Sequence, residues 1–123
     1  ALPSEVPARI RRIYQEAAQV KQRSPSSFVV QIRRALEAMT KDKGAPRGSL
    51  ARRIASLIDS GDLPSVFAEM TNHSRMIGNL GAHDAERDVG PEDVKIVDEF
   101  FRAVIEYIYV APAKVKRVTD LID

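Results

Sequence analysis

One stretch of the chain, SRMIGNLGAHD at residues 74–84, combines residue types that rarely share a helix. If the surrounding helix continues through residue 83, four polar side chains fall at steps of three, four and four along one of its sides. They are Asn72, Arg75, Asn79 and His83. Amide, guanidinium and imidazole groups form a hydrogen-bonded site when the fold encloses them. When the fold leaves them outside, they form a solvated face.

Two glycines in the same stretch need an explanation. Gly78 and Gly81 lie three positions apart, and each glycine inside a helix is about 1 kcal/mol less favourable than alanine. Two interpretations remain open. The glycines let the backbone of a neighbouring helix approach closely, or they let the helix end so that His83 lies at its C-terminus.

Two charged residues on another predicted helix could contact this polar stripe. Arg33 and Glu37 are four residues apart on a predicted helix and flank its apolar side. A bundle that turns them toward Arg75, Asn79 and His83 contains a partly buried cluster, which must be fully hydrogen-bonded. We then expect Glu37 to form a partly enclosed ion pair with Arg33 or Arg75. The alternative is an ordinary pair within one helix and a solvated surface.

Other kinds of site have little support in the sequence. His73 and His83 are ten residues apart, unlike the four-residue spacing of metal ligands on a helix, so we predict no metal site. There is no glycine-rich phosphate loop and no nucleophile elbow, and we predict no cofactor. A basic face on the first predicted helix fits either solvation or nucleic-acid binding, and the lack of interleaved aromatic residues favours solvation. Its residues are Arg9, Arg11, Arg12 and Lys21.

The composition of the 123 residues is that of a soluble globular domain, with 44% hydrophobic and 29% charged residues. The formal charge of +2 is too small to indicate nucleic-acid binding by itself. Cysteine is absent, which excludes disulfides, thiol nucleophiles and cysteine zinc sites. No apolar run approaches the ~20 residues of a membrane span. We therefore predict a cytoplasmic protein with no membrane partner.

Apolar residues recur at helical spacing in six segments, and none of the segments alternates like a strand. The first predicted helix covers roughly 6–22 and the fifth roughly 91–110, while the others begin after Ser24, after Ser49, near Pro64 and at Pro112, with Gly44 and Gly61 as stops. The fourth is expected to continue through residue 83. The sixth, with Val115, Val118 and Leu121, either docks on the bundle or serves as a linker.

The fifth predicted helix carries two apolar stripes. One consists of Val94, Val97, Phe101, Val104, Ile105 and Ile108, and the other of Ile96, Phe100, Ala103 and Tyr107. A helix that is apolar nearly all round is usually central, so we predict that it is the most buried. Short connections favour antiparallel neighbours. The sequence thus predicts an all-α, up-and-down bundle of five to six helices, a single domain over residues 1–123 that is part of a longer protein.

Several stretches, taken in order, carry a resemblance. They are LPSEVPARIRRIYQEA at 2–17, RRALEAM at 33–39, LARRIASLIDSGDLP at 50–64, RMIGNLGAH at 75–83 and FFRAVIEYIYVAP at 100–112. Together they resemble the bacterial domain-of-unknown-function family four-one-four-five over almost the whole chain. The resemblance implies a HEPN-like helical bundle (higher eukaryotes and prokaryotes nucleotide-binding domain). It also implies either an accessory domain of restriction and other defence proteins or a stand-alone protein of unsettled role.

Seven positions match the pattern of that family, and the resemblance implies that they form a binding or structural polar cluster. They are Glu16, Arg33, Glu37, Arg75, Gly78, Asn79 and His83. In ribonucleases of the HEPN group, four to six residues lie between an arginine and a histidine, and a polar residue follows the arginine. Their site is metal-independent and is typically completed across a dimer. The histidine would move protons for attack by a ribose 2′-hydroxyl, and the arginine would stabilise phosphate charge.

The match to that ribonuclease pattern is incomplete, because Gly78 occupies the position of the arginine. Seven residues separate Arg75 from His83. We therefore expect a non-catalytic helical interaction module, which binds a protein partner, itself or RNA beside a defence enzyme. We also expect a homodimer with residues near 75–83 at its contact. The alternative is a HEPN-type endoribonuclease with His83, Arg75 and Asn79 as its catalytic residues, and a nucleotide sensor in the same cleft is a third interpretation.

Overall fold

The computed structural model describes residues 1–45, 47–81 and 88–123, which form helices and connecting turns without any strand. The α-helices are α1 (Ala8–Val20), α2 (Pro25–Asp42), α3 (Leu50–Asp59), α4 (Val66–Asn72), α5 (Ser74–Leu80), α6 (Pro91–Ile105) and α7 (Ala111–Ile122), and a π-helical segment covers Glu106–Val110. The predicted all-α class is confirmed.

Local sequence signals set the ends of α2 and α3. The Ser24 hydroxyl accepts the N–H of Ser27 at the start of α2, and Ser49 caps α3 in the same way. Both helices are followed by a glycine in the left-handed region, with φ of 83° at Gly44 and 86° at Gly61. Side chains rarely adopt this conformation, so glycine ends a helix at little cost. These predicted starts and stops are confirmed.

The fourth predicted helix is not continuous, which corrects the expectation that it runs from Pro64 through residue 83. Its place is taken by α4 and α5, and His73 between them is extended, with φ −66° and ψ 135°. Residues 71–74 read Thr-Asn-His-Ser, and all four are mediocre helix formers. The Thr71 hydroxyl also donates to the carbonyl of Phe67 at 3.1 Å, a bond that tends to bend helices.

The fifth and sixth predicted helices are joined, which corrects the expectation that Pro112 starts a separate one. Pro112 has no N–H to donate, and its ring clashes with the carbonyl four residues earlier in a regular helix. Here the turn before it is widened, and the N–H of Ala111 donates to the carbonyl of Glu106, five residues back. A π turn therefore carries the helix past the proline, and residues 91–122 are helical throughout.

The core lies around α6. Consecutive helices pack against each other from α1 to α6, and α2 also packs against α6, which closes the bundle. The rings of Tyr14 and Phe101 stack at 5.5 Å, and Phe67 meets Phe100 edge-on at 6.1 Å. Buried residues are most numerous between Asp93 and Val110. The prediction that this stretch is the most buried is confirmed.

Phe101 tests this view of the core. Its side chain is fully buried, so Phe101→Ala should lower the free energy of unfolding by about 3–5 kcal/mol through lost contacts and a cavity. Urea denaturation would measure the loss. The control is Val30→Ala, because Val30 is 44% exposed and its change should stay within about 0.5 kcal/mol. Equal losses in the two variants would contradict a core centred on α6.

Candidate functional site

Asn79, the described member of the predicted polar stripe on α5, is fully buried. Its amide nitrogen donates to Oδ1 of Asp93 at 3.2 Å, and Oδ2 of Asp93 accepts the backbone N–H of Gly90 at 3.0 Å. Asp93 is itself only 4% exposed and lies in the first turn of α6, where a carboxylate suits the helix dipole. Asn79 thus joins α5 to the start of α6.

Arg33 connects α2 to the end of α5. Its Nη1 donates to the carbonyl oxygen of Gly81 at 2.6 Å, immediately after α5 ends at Leu80. A guanidinium is favourable at this position, because the last carbonyls of a helix carry partial negative charge. Gly78 is half-buried within α5 and Gly81 is exposed. Of the two interpretations of these glycines, this end at Leu80 agrees with helix termination near Gly81.

Of the remaining predicted site residues, the two acidic ones are described by the structure, and both lie at the surface. Glu37 is exposed, so the predicted enclosed ion pair of Glu37 is wrong. The residue points away because the positions on either side of it, Leu36 and Ala38, turn toward the core. Glu16 is also exposed, and its carboxylate lies 3.9 Å from Arg34 at the surface. His83 and the side chain of Arg75 lie outside the described residues.

A polar network that the sequence reasoning missed joins α1 to α6. The Tyr14 hydroxyl donates to Oδ1 of Asp98 at 2.7 Å and accepts from Nη2 of Arg102 at 2.7 Å. Lys21 contacts Oδ2 of Asp98 at 3.0 Å. The available signal was Asp98 itself, a carboxylate between Val97 and Phe101 on the apolar side of the predicted helix. Such a residue needs partners on a facing helix.

The environment of the network keeps the Tyr14 hydroxyl protonated. Burial, together with the hydrogen bond to Asp98 and its charge, raises the pKa of Tyr14 to about 12, although Arg102 acts in the opposite direction. Tyr14 therefore stays a neutral donor at physiological pH. Among the described residues, no buried side-chain nitrogen or oxygen lacks a hydrogen-bond partner. Their buried polar groups are thus all engaged by the fold.

An open apolar groove lies between α6 and the pair α4–α5, with a volume of about 640 Å³. Its floor consists of Ile96, Phe100 and Ala103, three members of the second predicted stripe of the fifth helix, and of Met76. Its rim consists of Glu69, Met70, His73, Lys95 and Glu99. Most of the second apolar stripe of the fifth predicted helix thus lines a concave surface.

Helix α7 extends past the bundle without burying any side chain. Its large apolar residues are between 56% and 86% exposed: Val115, Val118, Leu121 and Ile122. An ion pair of 3.6 Å between Arg117 and Glu5 links α7 to the N-terminal segment. Of the two expectations for the sixth predicted helix, docking on its own bundle is wrong.

Within residues 1–45, 47–81 and 88–123, no three histidine, cysteine or acidic side chains are grouped so that they could hold a metal ion. In the same ranges, every helix is too short or too polar to cross a membrane.

Asn79 provides a test of the link between α5 and α6. Asn79→Ala removes a donor from the buried Asp93 carboxylate and should lower the free energy of unfolding by about 2 kcal/mol. Asn72→Ala is the matched control, because Asn72 is exposed at the end of α4. The two variants would be compared by thermal and urea denaturation. Equal stability of the two would contradict the buried role of Asn79.

The raised pKa of Tyr14 predicts how the free energy of unfolding changes at alkaline pH. Its pKa in the folded protein, about 12, lies above the ordinary value of about 10. Folding therefore favours the neutral hydroxyl, and this contribution is complete below about pH 10 and lost as pH rises toward about 12. Tyr14→Phe should reduce the loss of unfolding free energy over that range, whereas Tyr107→Phe, at an exposed position, should not. If Tyr14→Phe lost as much unfolding free energy as the parent over that pH range, this assignment would be refuted.

The sequence of the chain was compared with known families and proteins. A family model described as Domain of unknown function (DUF4145) matches residues 15–120. The matched range begins within α1, just after Tyr14, and ends within α7, so it contains Asp98, the link from Asn79 to Asp93, the groove and most of the exposed helix. No curated protein and no solved structure matches the chain. Because the family model covers most of its residues, the chain belongs to the DUF4145 family.

Proposed function

We propose that this domain is a non-catalytic helical interaction module, which binds protein surfaces beside an enzyme of a bacterial restriction or defence system. The observation that supports this function is the distribution of exposed apolar side chains. Among the described residues, large apolar side chains remain exposed at Val30, Val66, Met70, Tyr107, Val115, Val118, Leu121 and Ile122. All of them except Val30 lie on α4 or between Tyr107 and Ile122.

Exposed apolar residues that are scattered singly are normal on a soluble protein, whereas residues gathered on one surface mark interaction sites. Two of these residues lie at the apolar groove. Met70 forms part of its rim, and Tyr107 lies one turn beyond its floor and meets Phe67 edge-on at 5.5 Å. We name the groove, Met70, Tyr107 and the exposed apolar residues of α7 the apolar surface.

The polar residues support a non-catalytic role. Asn79 would have to reach RNA in the ribonuclease alternative, yet its side chain is fully buried and donates to Asp93. The arginine position of the HEPN pattern is held by Gly78, which has no side chain to stabilise phosphate charge. The defence context of the proposal rests on the family resemblance of the sequence.

A cleavage assay separates the module from the ribonuclease. The purified domain, incubated with structured and single-stranded RNA in the presence of a chelator, should produce no cleavage above a protein-free control. His83→Ala and Arg75→Ala should likewise leave the RNA unchanged. Metal-independent cleavage that is lost in both variants would establish the HEPN-type endoribonuclease and overturn the interaction module.

A further inference from the structure

We propose that the partner for the apolar surface is a second copy of this chain. In this dimer, α7 of each protomer lies antiparallel in the groove of the other, around a two-fold axis near residue 109. The inference rests on the proposed interaction function and identifies its partner. It differs from the dimer expected from the sequence, whose contact was placed near residues 75–83.

The spacing of the two stripes supports this arrangement. Ile96, Phe100, Ala103 and Tyr107 follow one another at steps of four, three and four, and so do Ala111, Val115, Val118 and Ile122. When two copies run antiparallel, residue 96 lies opposite 122, 100 opposite 118, 103 opposite 115 and 107 opposite 111. All four pairs are centred on residue 109. The stripe of the groove and the stripe of α7 are therefore complementary in register, as an isologous contact requires.

The π-helical segment keeps both stripes on one face of the long helix. A continuous apolar seam alternates steps of three and four, but the step from Tyr107 to Ala111 is four where this alternation needs three. In a regular helix the extra residue would rotate α7 away from the groove face by about 100°. The π turn bonds Ala111 to Glu106, five residues back, and so takes up one additional residue.

The stripe of α7 cannot reach the groove of its own chain. Helices α6 and α7 form one helix with the segment between them, and Val115 lies twelve residues beyond Ala103. That separation is about 18 Å along the axis. Contact within one protomer would need a sharp reversal inside the helix, whereas contact between two protomers needs none.

Charges along the long helix agree with the antiparallel register. Glu106 precedes the contact residue Tyr107, and Lys114 precedes the contact residue Val115, so Glu106 of one copy and Lys114 of the other lie on the same flank of the antiparallel pair. This opposite-sign pair occurs twice by symmetry. A parallel pairing would place each of these charges beside its own copy, which is unfavourable.

The size of the contact predicts a weak dimer. The paired stretch from residue 96 to residue 122 is about 40 Å long, and a helix is about 10 Å wide. Such a contact buries on the order of 1,000 Å² in total, the lower limit for a specific interface. Contacts of this size are typical of weak and transient complexes, so we expect the dimer to dissociate on dilution.

Light scattering and sedimentation of the whole chain test self-association. The parent should dimerise, and Val118→Asp should weaken dimerisation by at least ~100-fold, because the charge enters the contact twice. The variant should fold normally, since α7 buries no side chain, and circular dichroism would verify this. The matched control is Val30→Asp, at an exposed apolar position outside the apolar surface, and it should dimerise like the parent.

Introduced cysteines test the register, because the chain has none of its own. Chains with Ala103→Cys, mixed with chains with Val115→Cys, should form an intermolecular disulfide under mild oxidation. Each variant alone should not, since identical positions lie about 18 Å apart, beyond the reach of a disulfide. Cross-linking of either variant alone would overturn the antiparallel arrangement.

A monomeric parent, or a dimer that Val118→Asp leaves intact, would overturn the inference without affecting the interaction function. In the first case, another protein or an anionic membrane would be the partner of the apolar surface. Binding of the parent to anionic vesicles and not to neutral ones would identify the membrane. The interaction function itself fails only in the RNA cleavage assay, so the two failures are distinguishable.

Discussion

A proline inside a long helix imposes the constraint on which the surface of this protein depends. Pro112 can neither donate a backbone hydrogen bond nor tolerate a regular turn before it. The chain meets both conditions with the π-helical segment Glu106–Val110, which is tied to α2 by a bond of 2.7 Å from the Tyr109 hydroxyl to Asp42. Because the helix continues, α7 projects beyond the bundle and keeps its apolar residues in contact with solvent.

The polar residues of the interior serve to align helices. Asp98 binds Tyr14 of α1 and Lys21 just after α1, while Asp93 binds Asn79 from α5. Each carboxylate lies on α6, and a buried carboxylate is costly unless donors surround it. Facing helices are therefore held at fixed positions relative to α6, and each described buried side-chain nitrogen or oxygen has a hydrogen-bond partner. The link between α5 and α6 thereby positions two of the helices that line the groove.

The groove and α7 share one property, since both leave apolar surface in contact with water. Ile96, Phe100 and Ala103 line a concavity that the bundle does not fill, and Val115 and Val118 form a ridge that the bundle does not cover. Both features cost free energy while water contacts them. A helix laid into a groove removes both costs at once, and that is a recurrent mode of protein recognition. The stability of the folded domain and its tendency to associate therefore have the same origin, the apolar sides of a single helix.

The sequence by itself determined the helical class, the caps at Ser24 and Ser49, the stops at Gly44 and Gly61, and the central position of the helix after Pro91, because these depend on local chemistry and periodicity. It did not reveal the break at His73 or the continuity through Pro112, since each is a small local preference that packing can override. Only the tertiary structure decided which side of each helix was covered. Glu37 faces solvent and Asn79 faces Asp93. Three members of the second stripe border both the core and the groove: Ile96, Phe100 and Ala103. Spacing tells which residues share a face, but the face that is buried depends on which helices are near, and that is a property of the whole fold.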